Sequence, residues 1–290
     1  TDKQLNSKFE HAFTRMGMPF HIKIFGVTNH QRAKRAVQEA IADISRVENL
    51  MSEWMGSSEI SALNRAAGHK PVTVSGSTFE VLNIAQTLAI QSSGAFDPTW
   101  AAFRGVWQFK SSAPVRPKPE RIKHALSLVD HTALVLNHSE SSAYLKHAGM
   151  QIGLGSIAKG YAIDLAANRL RKYGFTRFMI DGGGDLFVEG SREKERPWRV
   201  AIKHPRETDT LFGFVHAQSQ SVVTSGDYEH FFELDQKRYH HIIDVRTGFP
   251  AKQCVSVTVV SASATIADAL ATAIFVLGPS KGLELLAHYP

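Results

Sequence analysis

Asp268 and Thr272 stand four residues apart in the apolar run ADALATAIFVLG. On a helix the carboxylate and the hydroxyl therefore share one face, about one turn apart. A carboxylate among apolar neighbours needs a partner. Two readings fit: an Asp held by the dipole of a helix N-terminus while the Thr bonds its own backbone, or a hard-cation site. Mg²⁺ takes few protein oxygens and fills its octahedron with water and substrate phosphates. A second candidate is Gly153-Leu-Gly155-Ser-Ile-Ala158, which opens a helix at Lys159. Its G-x-G-x-x-A form is that of a turn whose amides meet a phosphate. The preceding KHAGMQI lacks the long buried strand of a nicotinamide dinucleotide unit, and no acid stands about 20 residues on to hold a ribose. A phosphate-facing turn is the better reading.

TSGDYEHFF and RYHHIIDVRTG bring three histidines and several acids into one region. His240 and His241 are adjacent, so in a strand they point to opposite faces and only one joins a given site. A lone His is more often structural, yet beside a metal-held phosphate it suits general-base activation of a hydroxyl. Asp181-Gly-Gly-Gly-Asp185 follows a strand; its glycines either let backbone approach a flat or phosphorylated ligand or simply make a turn.

These residues need a frame. Phe20, Ile22 and Ile24 alternate with polar residues just after Met16-Gly17-Met18, which predicts a half-buried strand. Ala33, Val37, Ile41, Ile44, Val47 and Met51 recur at helical spacing and predict a helix leading into the loop MSEWMGSSEISALN. A second helix is expected from Ser77, where Ser77-x-x-Glu80 reads as a capping box, to Gly94. Further strands are expected near Ala133 to Leu136, at Phe178-Met179-Ile180, along Trp198, Val200 and Ile202, and along Val255, Val257 and Val259. Helices and strands interleave without a doubly wound beat, so the class is α+β.

Composition narrows the rest. The 290 residues are 43% hydrophobic and 21% charged, which excludes disorder, collagen and coiled coil. The single Cys254 permits no internal disulfide and no zinc site of the Cys-pair kind. A net charge of +6 could suit an anionic partner. However, its densest stretches, Arg104 to Lys123 and Arg192 to Arg206, carry Pro and Glu and read as solvated loops rather than a nucleic-acid surface. The start TDKQLNSKFEH lacks the apolar core of a signal peptide, and Val255 to Leu277 is too polar for a membrane span.

Met16-Gly17, MSEW, SEISALN, AFDPT, GSIAKGYAID, DGGGDL, TSGDYEHFF, YHHIIDVRTGFP and ADALATAIFVLG, in this order over nearly the whole chain, resemble the ApbE family. These are Mg²⁺-dependent flavin transferases that move FMN from FAD onto a Thr or Ser of another protein. The resemblance implies an ApbE-like α+β fold, mixed sheets with packed helices in two intimately joined lobes forming one domain over 1–290. It implies FAD contacts from Met16, Trp54, Ala95, Phe96, Asp97, Lys159 and Ile242. The implied Mg²⁺ ligands are the Asp268 carboxylate, the Thr272 hydroxyl and the Ser156 main-chain carbonyl, and the implied base is His241. It also implies a flavin-acceptor protein as partner and work in the bacterial periplasm or cell envelope, with a trimmed signal or anchor accounting for the start at Thr1 and no nucleic-acid partner. Two positions depart from the family pattern. An acid is usual where this chain has Gly153, which removes a polar contact to the nucleotide, and Val245 replaces a Pro, which should change turn rigidity more than chemistry. The rival readings are a hydrolase splitting FAD into FMN and AMP, and a silent FAD-binding protein.

Overall fold

The computed structural model describes residues 7–109, 111, 113–191 and 196–289. Lys110 and Ser112 of the first basic stretch, and Arg192 to Glu195 of the second, lie outside the described residues. The chain runs through β1 (Lys8–Arg15), β2 (Met18–Phe25), α1 (His30–Met51), α2 (Glu59–Arg65), β3 (Val72–Thr73) and α3 (Gly76–Gln91). There follow α4 (Pro119–Leu126), β4 (Leu134–Asn137), β5 (Ser142–Leu145), α5 (Ala158–Lys172), β6 (Phe178–Gly182) and β7 (Asp185–Glu189). The last third holds β8 (Trp198–Lys203), β9 (Leu211–Ala217), β10 (Gln220–Gly226), β11 (Phe231–Leu234) and β12 (Lys237–His240). It closes with β13 (Ile243–Asp244), β14 (Phe249–Pro250), β15 (Ser256–Ser261), α6 (Ala264–Leu277) and α7 (Pro279–Leu285).

The chain divides into two compact units, the first drawn from Thr1–Asn49, Ile157–Thr224 and Thr258–Asp268, the second from the remainder. The first is built on a six-stranded sheet in the order β1-β2-β6-β7-β10-β15. Its pairs β1-β2, β2-β6, β6-β7 and β7-β10 are antiparallel. The alternation at Phe20, Ile22 and Ile24 is borne out: all three are fully buried, as are Phe178 and Ile180 on β6. The helical spacing of α1 is borne out too, with Ala33, Val37, Ile44, Val47 and Met51 buried. Arg169 of α5 reaches α1, pairing with Asp43 at 2.8 Å and Glu39 at 3.3 Å. The β8–β9 ribbon sets Trp198, Val200 and Ala217 against Val188 and Val222 of the sheet.

The second unit carries α2, α3, the three-stranded sheet β3-β5-β4 and the hairpins β11-β12 and β13-β14. Its aromatic core stacks Trp107 on Phe109 and on Tyr239. Val245 is buried there with Phe103, Trp107, Ile122 and Phe232, so the side chain that replaces the family proline works as apolar filling. Asp268 is assigned to the first unit and Thr272 to the second.

Two expectations need correction. The cap of α3 is Ser75, not Ser77: Ser75 has extended backbone, and its hydroxyl accepts from the Thr78 N–H at 3.3 Å and donates to Glu59 at 2.9 Å. Ser77 lies inside the first turn. The expected stop at Gly94 holds, since its φ is +76° and its N–H returns to the Ala89 carbonyl at 2.8 Å. The strand expected along Val255, Val257 and Val259 is borne out as β15, in which Val259 is buried, while Val255 just before it is exposed. The first basic stretch is no plain solvated loop: it ends in α4, whose Ile122 and Ala125 are buried.

Candidate functional site

In the first unit two helices cap one another. The α5 N-terminus begins after Ile157 without a side-chain cap of its own, and the Gly160 N–H donates to Asp268 Oδ2 of α6 at 3.0 Å. Asp164 of α5 serves the other helix. It accepts from the N–H groups of Ala264 at 2.8 Å and Thr265 at 2.9 Å, and from the hydroxyls of Ser263 at 2.8 Å and Thr265 at 2.6 Å. Gly160 is required by this crossing, because a Cβ would collide with the Ala264 carbonyl.

Lys159, one residue before that contact, forms an ion pair with Asp185 and lies 4.0 Å from Asp268 Oδ1. Both carboxylates are almost wholly buried, Asp185 at 2% exposure and Asp268 at 4%. Burial pushes the Asp268 carboxyl up to about 6, against the opposing pull of the Lys159 ammonium, and raises Asp185 for the same reason. Asp185 was not among the expected site residues. The β6–β7 hairpin puts it there: Gly182 pairs with Asp185 across Gly183 and Gly184, whose φ values of +63° and +95° only glycine adopts cheaply. The glycine run is therefore a tight turn, and its consequence is an acid delivered beside Lys159. Met16, also in this unit, sits at φ +53° in the β1–β2 turn and donates its N–H to Glu48 at 2.7 Å.

The second unit holds Trp54, Ala95, Phe96, Asp97, Ser156, His241, Ile242 and Thr272. Ala95, Phe96 and Asp97 are buried. Both Asp97 carboxylate oxygens are engaged within the unit: Oδ1 accepts from the Thr99 N–H at 2.8 Å and hydroxyl at 2.6 Å, and Oδ2 from the His131 N–H at 3.1 Å and ring at 3.0 Å. That hydrogen bond is the chief reason the His131 imidazole titrates above its ordinary range, with burial opposing. The Asp97 side chain thus shapes the AFDPT turn.

Gly153 is explained by its neighbour. A Cβ there would lie 2.9 Å from the Trp100 ring, whose Nε1 donates to the Gly153 carbonyl at 2.9 Å. The space an acid would need is filled by indole. His240 is buried, accepting from the Ile242 N–H at Nδ1 (3.3 Å) and meeting the Ala251 carbonyl at Nε2 (2.8 Å), which fixes the Nε2–H tautomer and a structural role. His241 is only partly buried, with its N–H bonded to the His230 carbonyl at 3.0 Å and its ring edge-on to His230. Ile242 packs with Ala95, Ala251 and Phe275. A cleft of about 760 Å³ lined by Asp244, Arg246, Phe249 and Lys252 contains none of the expected site residues.

By chemical type the implied donors suit a hard ion. Among the described residues no three His, Cys, Asp or Glu side chains gather as a metal cage. A carboxylate, a hydroxyl and a carbonyl are nonetheless the sparse oxygen set with which Mg²⁺ combines water and phosphate. A buried Asp268 needs a cation near it.

Comparison with known proteins gives a consistent result. The model of the ApbE family matches residues 16–290. The FAD:protein FMN transferase of Treponema pallidum is 34% identical, covering 95% of this chain and 80% of that one. That of Klebsiella pneumoniae is 31% identical over 97% and 86%. Among solved structures, the ApbE protein of Thermotoga maritima superposes with a TM-score of 0.87 at 29% identity, over 98% and 91% of the two chains. The flavinyl transferase ApbE of Pseudomonas stutzeri does so at 0.85 and 28%, over 98% and 89%. Motif order, fold and relatives agree, and the chain belongs to the ApbE family.

Proposed function

We propose that this chain is a magnesium-dependent transferase that moves FMN from FAD onto a Thr or Ser hydroxyl of an acceptor protein and releases AMP. The observation that carries this reading is the half-buried Lys159 flanked by the buried Asp185 and Asp268 at the start of α5, in a chain whose relatives are named FAD:protein FMN transferase. An ammonium at a helix N-terminus offsets charge on a pyrophosphate, and phosphoryl transfer depends chiefly on such positioning and neutralisation. A magnesium ion held by Asp268, Thr272 and the Ser156 carbonyl would supply further charge neutralisation. The acceptor oxygen attacks the FMN-side phosphorus, the bond from that phosphorus to the bridging oxygen breaks, and the oxygen leaves on AMP. A ring nitrogen of His241 takes the hydroxyl proton. Met16, Trp54, Ala95, Phe96, Asp97 and Ile242 would hold FAD.

Family habit supports a place in the bacterial periplasm or cell envelope. Among the described residues no helix is long and apolar enough to cross a membrane.

The test is to incubate the protein with FAD, Mg²⁺ and a Thr-bearing acceptor domain, with and without EDTA, and weigh the acceptor intact. An FMN-sized gain abolished by EDTA is expected. Free FMN and AMP without a gain would make the protein a pyrophosphatase; intact FAD with two different acceptors would make it a binding protein.

A further inference from the structure

Trp54 is 74% exposed in the loop between α1 and α2, yet it is gripped. The Arg104 guanidinium carbon lies 4.6 Å from the centre of its ring. The same guanidinium donates through Nη1 to the carbonyl of Glu53, the residue directly before Trp54, at 3.1 Å. Its Nη2 lies 3.8 Å from the Glu53 carboxylate, whose side chain is only 7% exposed. The buried Nε and Nη2 have no hydrogen-bond acceptor, so the Glu53 carboxylate and the negative face of the indole are what offset this charge. Ser58 adds a hydroxyl bond to the Ser52 carbonyl at 2.6 Å, pinning the same loop. One face of the indole is therefore covered by a cation that also holds its backbone, and the other is open.

We infer that Arg104 is a positioning residue that fixes Trp54 as a stacking platform for a flat heteroaromatic ring of FAD, an inference that rests on the FAD reading above. A ring held in place before binding loses less freedom on stacking than a swinging one. The guanidinium suits that task and a lysine does not, because its several nitrogens let one group sit over the indole, donate to a carbonyl and face a carboxylate at once. Two rings of FAD have the required chemistry, the flavin and the adenine.

The test titrates riboflavin and AMP separately against the full chain with Mg²⁺, comparing wild type, R104M, R104K, W54A and the W54A/R104M pair. R104M should weaken one of the two ligands roughly three- to tenfold, and the ligand affected identifies the ring. R104K should lie closer to R104M than to wild type. In the W54A background R104M should add almost nothing, and in turnover it should raise KM for FAD while leaving kcat in place. Unchanged affinity in R104M overturns the inference. So does a loss of the same size in the W54A background, which would mean that Arg104 touches the ligand itself, or an equal loss for riboflavin and AMP, which would mean a general structural effect. Wild-type protein that takes up no FAD overturns the FAD reading and the platform together, whereas FAD uptake that R104M does not alter overturns the platform alone.

Discussion

Asp164→Ala removes one carboxylate that holds four donors at the start of α6. A lost N-cap costs about 0.5–2 kcal/mol, and hydrogen bonds to a charged acceptor contribute about 1.5–3 kcal/mol each when measured singly. Asp164 is half-buried, so water replaces part of what is lost and the contributions do not add. The expected cost is about 2–4 kcal/mol, which for a chain of this size lowers Tm by roughly 3–7 °C. Asp164→Asn keeps one acceptor oxygen but not the charge and should fall about halfway. Urea unfolding and calorimetry of the three proteins without ligand measure this directly. Because the same crossing sets Asp268 against Gly160, transfer activity should drop with stability in Asp164→Ala. If that variant unfolds within 1 kcal/mol of wild type, reciprocal capping does not hold the two helices and the argument fails.

Asp268→Ala should abolish acceptor labelling at ordinary Mg²⁺ while the protein stays folded; labelling at the wild-type rate would remove Asp268 from the metal site. His241→Ala should keep FAD binding, read by flavin fluorescence, and lose transfer, whereas loss of binding would make the imidazole a ligand contact. His131, which faces Asp97 and Asp130, titrates above its ordinary 6.5. Its stabilisation is complete below that value and is lost as pH rises through the raised one. The Tm advantage of wild type over His131→Gln should therefore shrink from pH 5.5 to 8.5, and a constant gap would show that the imidazolium contributes nothing.

Legibility in the sequence followed the range of the interaction. The β2 alternation and the α1 stripe are read correctly because burial repeats at the period of the element itself. Ser75 and Ser77 are both competent caps, and what selects Ser75 is Glu59, sixteen residues away. Asp164 is unremarkable within α5 until α6 is laid across it, and Asp97 gives no sign that His131 will take its carboxylate. Asp185 had a usable signal: a two-residue glycine turn fixes which residue follows it into the sheet, and that residue is an acid. Arg104 was concealed by its basic neighbours, since charge counting assigns such a run to solvent while the indole that receives this side chain lies fifty residues earlier. Asp268 and Thr272 showed their shared helix through spacing alone, but the chemistry they support came from the resemblance.

The packing of Trp100 against Gly153 couples the residue choices at the two positions. The usual family acid and this indole claim the same volume, so neither position is free to move while the other stays as it is. Gly153→Asp made alone sets a Cβ 2.9 Å from the Trp100 ring, which must shift, and Trp100→Ala made alone leaves a hole beside a bare backbone. A paired change at 153 and 100 is therefore expected to cost less stability than the two single changes together, which thermal unfolding of the three variants measures.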